Sequence, residues 1–318
     1  MRGERLTRRG ALRLGGGTAL AGLTAGLAGC SGLLGGGDGA GDAEFTQWLP
    51  APGEISFEDG EPKEHYRAGF DDLSVRRDSD ALPGVENSTL GEVASSTGVD
   101  FGDVRTITRS GGPCWIFEGG FDADGVVDEL DESEYGEPSD HGEFTLRQQV
   151  DEENVGRVVG VTDGTVIRSG SGPIDVVTGW VEAAIDATNG DIDRYAEASE
   201  DFGRLVDELG EGAMTIARTH PRIEKTRGRG APTWFFVSFE NQVATGSSTR
   251  VDGDAAEQTL VKVFASADAV PSDQLDAWVE EYENDDESLL ARFTEFSVSE
   301  SGRVWSVSGE VDPSRLPG

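Results

Sequence analysis

The chain has 318 residues, with 26 Lys plus Arg against 61 Asp plus Glu and a formal net charge of −35. This length allows one large or two ordinary domains with a sizeable core, and it excludes a minimal disulfide scaffold. Leu, Ile, Val and Phe make up 72 of the 318 residues, above the roughly one-fifth below which so charged a chain stays disordered. The acid excess argues against nucleic acid and anionic lipid as partners, because both require neutralisation by Lys and Arg.

The N-terminus carries five arginines between Arg2 and Arg13, followed by an uncharged stretch from Leu14 to Gly29 rich in Gly, Ala and Leu. A basic segment before a short apolar one is the pattern of an export signal. The apolar part is too short for a membrane span of about 20 residues. Thr7-Arg8-Arg9 with Leu12 resembles the twin-arginine export signal, with Arg8 and Arg9 as the paired arginines. Leu27-Ala28-Gly29-Cys30 resembles a lipobox, which implies cleavage before Cys30 and lipidation of its sulfur. The chain then divides into a signal peptide (1–29), a lipidated cysteine with a Gly-rich flexible linker (30–43), and a folded body. This resemblance implies export in the folded state and anchoring at the outer face of the cytoplasmic membrane. The alternative is an uncleaved N-terminal helix, which also tethers the chain.

Acidic residues are spread over the whole body, and lysine occurs only at Lys63, Lys225 and Lys262. Self-repulsion at this charge strains a fold in dilute buffer. At molar salt the Debye length falls to about 3 Å and the strain is screened. Composition and signal together resemble those of haloarchaeal twin-arginine lipoproteins, a likeness that implies localisation and no activity. An acidic surface that binds cations or a basic partner is the alternative.

The elements follow in chain order. Tyr66, Ala68 and Phe70 alternate and predict a strand, Ser88–Ser96 a short helix, and Arg105–Arg109 and Cys114–Phe117 two further strands. Asp122 caps a helix to Ser133, with Val126, Val127 and Leu130 on one side. Phe144, Leu146 and the stretch Arg157–Ile167 read as three strands, two of them joined through the turn Asp163-Gly164. Pro173 opens a helix carrying Ile174, Val177, Val181 and Ile185, closed by Asn189-Gly190. Tyr195, Phe202, Leu205, Val206 and Leu209 predict one more helix, and Met214 and Ile216 open a strand. Trp234–Phe239 and Thr259–Ala265 read as strands, Ser272 starts a helix with Leu275, Trp278, Val279 and Tyr282 on one face, and Phe293–Val298 and Arg303–Val307 end the chain as strands.

The fold class expected is α+β, with a mixed and mainly antiparallel sheet. A strand–helix–strand–strand order starts at Cys114 and again at Leu260, which suggests a duplicated unit and a division into 44–170 and 171–318. Chance recurrence of a common order is the competing explanation.

Chemistry-bearing motifs are scarce. No lysine follows glycine, which excludes a phosphate-binding loop, and no Gly-x-Ser-x-Gly elbow occurs. His65, His141 and His220 lie far apart in sequence, against the close spacing of a zinc site. Cys114 reads as a small buried strand residue, with a reactive thiol or an intermolecular bridge as the alternative. No cofactor is expected. Trp48, between irregular proline-rich residues, is either core or an exposed aromatic platform. Asn87-Ser88-Thr89 is an N-glycosylation sequon. One local basic cluster stands out: Arg218, Arg222, Lys225, Arg227 and Arg229, read as an exposed loop that contacts an anion or an acidic surface protein, or as a loop balanced by nearby acids.

The function expected is non-enzymatic binding of a partner or ligand by a lipid-anchored surface protein at high salt. A hydrolase using a carboxylate pair and a solute-binding subunit of a transporter are the alternatives. Cys30→Ser should move the chain from the membrane fraction to the soluble extracytoplasmic fraction, as checked by fractionation; retention in the membrane would point to an uncleaved anchor.

Overall fold

Alternation of apolar and polar residues every second position makes much of this chain strand. The computed structural model describes residues 43–318 except 56–63, 80–81, 83–90, 92–93, 95, 112–113, 226–236, 253–254, 284–289, 313–315 and 317–318. The signal residues Arg8 and Arg9, Cys30, the linker and Asn87 lie outside the described residues. Within them the first half holds β1 (Arg67–Asp72), β2 (Val104–Ser110), β3 (Cys114–Gly119), β4 (Ser139–His141), β5 (Phe144–Val150), β6 (Val155–Thr162), β7 (Thr165–Ser169) and β8 (Gly172–Pro173). The second half holds β9 (Met214–Thr219), β10 (Gln242–Asp252), β11 (Ala255–Phe264), β12 (Phe293–Ser301) and β13 (Val304–Val311). The helices are α1 (Leu73–Asp78), α2 (Ala123–Asp131), α3 (Ile174–Asn189), α4 (Tyr195–Ala198), α5 (Glu200–Leu209) and α6 (Ser272–Tyr282).

All strands join one antiparallel sheet in the order β12-β13-β11-β10-β9-β1-β2-β3-β7-β6-β5-β4, with β8 beside β6. The fold is therefore α+β with an antiparallel sheet. The seam at its centre is β1 against β9, which sets Arg67 opposite Arg218 and Ala68 opposite Ala217. The expected strand–helix–strand–strand order is met by β11, α6, β12, β13, whereas in the first half the short strand β4 enters between α2 and the pair β5, β6. The two halves also differ in pairing, because β7 intervenes between β3 and β6 while β13 lies directly on β11. Helix α3 begins just after position 170, yet its Trp180, Val181 and Ile185 pack with Ile116, Val158 and Ile167 of the preceding strands.

Each helix has a local reason to start or stop. Asp122 caps α2 by accepting from the Gly125 N–H. Gly190 ends α3 at φ 77°, a left-handed position that suits glycine. The single helix expected over Tyr195–Leu209 is interrupted at Ser199, whose hydroxyl accepts from the Phe202 N–H and so caps a new helix, α5. The expected strand at Trp234–Phe239 falls largely outside the described residues, and its end, 237–239, forms no strand. The long strand β10 was not expected, because QVATGSSTRVD carries hydroxyls where a strand signal has aliphatic side chains.

The sheet has helices on both faces. Register places Ala68, Cys114, Ile116, Ala217, Val261 and Val263 on one face, where they form a core with α3, α4 and α5. Two smaller cores occupy the opposite face, one under α2 with Ile107, Phe117 and Val159 and one under α6 with Leu260, Trp305 and Val307. Between those two helices lie the central strands β2, β1, β9 and β10. Trp48 belongs to the first core, with its ring edge-on to Phe144 at 6.5 Å, so the exposed-platform reading does not hold. Cys114 is fully buried, and burial pushes its thiol up to about 12, which makes it inert.

Gly111 shows how tightly the first core closes. It sits at φ 73°, and a Cβ there would stand 1.9 Å from the Trp180 ring. Gly111→Ala should cost about 3 kcal/mol in denaturant unfolding, from left-handed strain of roughly 1–2 and overpacking of about 1–3; an unchanged midpoint would contradict this packing.

Candidate anion-binding face

The second face of the sheet gathers arginines from separate strands. Residues in register project to the same side, so Arg67 of β1, Arg109 of β2 and Arg218 of β9 share that face, with Arg109 opposite Gly69. The row continues outward through Trp115 of β3 to Arg168 of β7, and Arg157 of β6 lies two residues from Val159, which pairs with Arg168. Five strands therefore place five guanidiniums on one face of a protein whose net charge is −35.

Gly69 makes this arrangement possible. A Cβ there would meet the Arg109 guanidinium at 3.0 Å, so the absence of a side chain lets Arg109 lie across β1 toward β9. Arg109 Nη2 donates to Asp71 Oδ2 at 3.2 Å, and Arg76 Nη1 donates to Asp71 Oδ1 at 3.0 Å. Burial raises the Asp71 pKa, while Arg109 and then Arg76 oppose that shift. Asp71 is thus shared by two guanidiniums.

The remaining arginines of the face are not neutralised. Among the described residues, Arg67, Arg157, Arg168 and Arg218 have neither a carboxylate within salt-bridge distance nor a side-chain hydrogen bond. The pKa of Arg67 is lowered by burial first, and then by the positive charges of Arg109 and Arg218. Arg168 is almost fully buried, with its guanidinium 5.7 Å from the centre of the Trp115 ring. Arg67, Arg157 and Arg218 reach the surface. Like charges set directly opposite on a sheet are destabilising, so Arg67 facing Arg218 costs stability until an anion bridges them. An arginine fork suits that task, since it binds carboxylate with two parallel hydrogen bonds.

The basic cluster read from the sequence is divided. Arg218 lies inside β9 and belongs to this face, while Arg222 and Lys225 are exposed in the segment after it. Arg222 Nε donates to Asn241 Oδ1 at 2.7 Å, so that arginine ties two chain segments together. Arg227 and Arg229 lie outside the described residues. Arg67, Arg109, Arg157 and Arg168 escaped the sequence reading because they are far apart along the chain. The one available signal was that Arg105, Ile107 and Arg109 share a face of an alternating strand.

Two cavities flank the central strands. A smaller, partly open one of about 80 Å³ has a polar side of Asp71, Arg109, Ser247, Thr249, Gln258 and Arg292 and an apolar side that includes Phe70, Met214 and Leu260. A more open cleft of about 340 Å³ lies at the Asp72 end, against Phe45, Phe70, Val75 and Val251. Arg250 of that cleft is already committed to the backbone carbonyls of Glu211 and Leu209.

On the far side of the seam, the row Arg67–Arg218–Thr245 reaches Lys262. Lys262 is fully buried, and its Nζ donates to the Val237 carbonyl at 2.8 Å and lies 5.3 Å from the Phe239 ring centre. Burial lowers its pKa to about 7. His220 beside it is lowered to about 4, again by burial.

No family model matches the chain, and no curated protein matches it. Among solved structures it is similar to crystal form III of TP0453, with 12% identity, a TM-score of 0.46, and coverage of 84% of this chain and 95% of that one. Crystal form I of the same protein gives 11% identity and a TM-score of 0.42, covering 84% and 94%. At these values the likeness brings no function to this chain.

Both lowered bases have a consequence for stability. Unfolded chains hold the His proton up to about pH 6.5 and the Lys proton up to about 10.4. The native state releases these protons near pH 4 and pH 7. In each window the unfolded state binds more protons, so stability rises with pH across it. His220→Gln should flatten the pH dependence of the unfolding midpoint between pH 4 and 6.5, and Lys262→Met that between pH 7 and 10.4. Curves parallel to the parent would show that neither base is protonated differently on folding.

Proposed function

We propose that this chain is a lipid-anchored extracytoplasmic protein, held through Cys30, that binds an acidic protein partner through the arginine-bearing face of its sheet at high salt. The observation that supports this reading is the set Arg67, Arg157, Arg168 and Arg218, unneutralised in a chain with 61 acidic residues. So large an acid excess would supply partners for every arginine, yet here they stand together without one. Salt shapes the binding mode. With a Debye length of about 3 Å at molar salt, long-range attraction is screened and direct arginine–carboxylate contacts remain.

The hydrolase reading gains nothing from Asp71, which is buried alone between two guanidiniums rather than paired with a second carboxylate. The solute-binding reading expects parallel strands with regular helical crossovers, whereas every strand pairing here is antiparallel.

The test is capture of partners from the protein's own membranes in mild detergent at molar salt, comparing the parent with the double variant R67S/R218S. Both substitutions are at exposed ends of side chains and should leave the unfolding midpoint within about 0.5 kcal/mol of the parent. The expected result is a stoichiometric acidic partner retained by the parent and lost, by about tenfold or more, from the variant. Equal capture by both, or no partner at all, would overturn the proposal.

A further inference from the structure

The small cavity beside the arginine row has the properties of a ligand site in its own right. It is formed where β1, β2, β9, β10 and β11 meet the residues just before β12, and its polar lining includes Asp71, Arg109, Ser247, Thr249, Gln258 and Arg292. Two guanidiniums, Arg109 and Arg292, share its lining with a single carboxylate; Asp71 is held by Arg109 and by Arg76, and the Arg292 side chain has no hydrogen-bond or ion-pair partner among the described residues. The local balance is therefore positive, and an anion entering the cavity would meet a charge that the protein leaves uncompensated.

Two orphaned polar atoms sharpen the chemistry. Arg109 Nε is buried without an acceptor, and Gln258 Oε1 is buried without a donor. Gln258 is only 5% exposed, and its Nε2 lies 3.4 Å from Thr249 Oγ1. A buried polar atom left unpaired costs about 1–3 kcal/mol. A bare carboxylate would satisfy the guanidiniums and leave Gln258 Oε1 unmet, because it has no proton to donate. A ligand with both an anionic oxygen and a hydroxyl meets both needs. Size narrows it further. The volume of about 80 Å³ is several times what one water requires, and about half of the ~150 Å³ cavity known to hold benzene.

We infer that this cavity binds one small hydroxylated oxyanion, either an α-hydroxycarboxylate or hydrogen phosphate. Arg109 and Arg292 grip the anionic oxygens, and Gln258 Oε1 accepts the hydroxyl proton. The inference rests on the reading of this face as anion-binding and gives it a second, small-molecule occupant. Occupation would also screen Asp71 and fix Arg109, the residue shared with the exposed row.

The experiment is calorimetric titration of the full chain in mild detergent and molar potassium chloride, with glycolate, acetate and inorganic phosphate as separate probes. Glycolate differs from acetate by the hydroxyl alone. The expected result is that glycolate, phosphate or both bind at least tenfold more tightly than acetate, with the tighter of the two naming the ligand class. R292S should weaken that binding by about tenfold or more, and Q258M should abolish the preference of glycolate over acetate. Equal binding of glycolate and acetate in the parent together with no advantage for phosphate, binding unaffected by R292S, or no binding at all would overturn the inference, and the parent comparison needs no variant to fold. If the probes fail while partner capture still depends on Arg67 and Arg218, the cavity assignment alone is wrong. If capture fails as well, the reading of the whole face is wrong.

Discussion

Where β1 meets β9, Arg67 faces Arg218 and Ala68 faces Ala217, and the rest of the molecule depends on that seam. It joins a run of strands built from the first half of the body to one built from the second, so that a single sheet carries both. The two sides of the seam have opposite physics. Toward the first core, Ala68 and Ala217 are small and fully buried under the layer of α3, α4 and α5. Toward the second face, the same register brings two guanidiniums together at the surface.

Such a pairing costs stability, and the surrounding structure preserves it. Gly69 leaves room for Arg109 beside the pair. Asp71 answers Arg109 and Arg76 rather than Arg67 or Arg218. Apolar contact could have filled this region, since α2 and α6 on either side rest on ordinary aliphatic and aromatic cores. A strip of like charge between two well-packed helices is the expected mark of a binding surface, because sites that await a ligand break the local rules that the rest of the fold obeys. In a chain whose acids outnumber its bases by 61 to 26, this strip carries charge of the opposite sign to that of the molecule as a whole.

Much of the fold was legible along the chain. The helical spacing of Leu275, Trp278, Val279 and Tyr282 announced α6, and all four are buried. Asp163-Gly164 marked a true hairpin between β6 and β7, with Gly164 at φ 73°. Strand β10 was hidden by its Ser and Thr residues, which serve here because the strand is central and its hydroxyls are buried in contact with both neighbours. Ser199 broke a helix that hydrophobic spacing alone would continue. The arginine face was not legible, because Arg67 and Arg218 are 151 positions apart and meet only through the register of a seam that no local signal encodes. The sequence reading found Arg218 as part of a dense basic run, and proximity along the chain gave no sign of Arg67 across the seam.

Chemical labelling of arginine by a dicarbonyl reagent, mapped by mass spectrometry at molar salt, tests the central claim most directly. If the second face carries unpaired and accessible guanidiniums, Arg67, Arg157 and Arg218 will react well ahead of Arg76 and Arg147, which are buried in ion pairs with Asp71 and Asp131. Labelling of Arg67 and Arg218 as slow as that of Arg76 would show that the face is covered or neutralised, and would contradict the account.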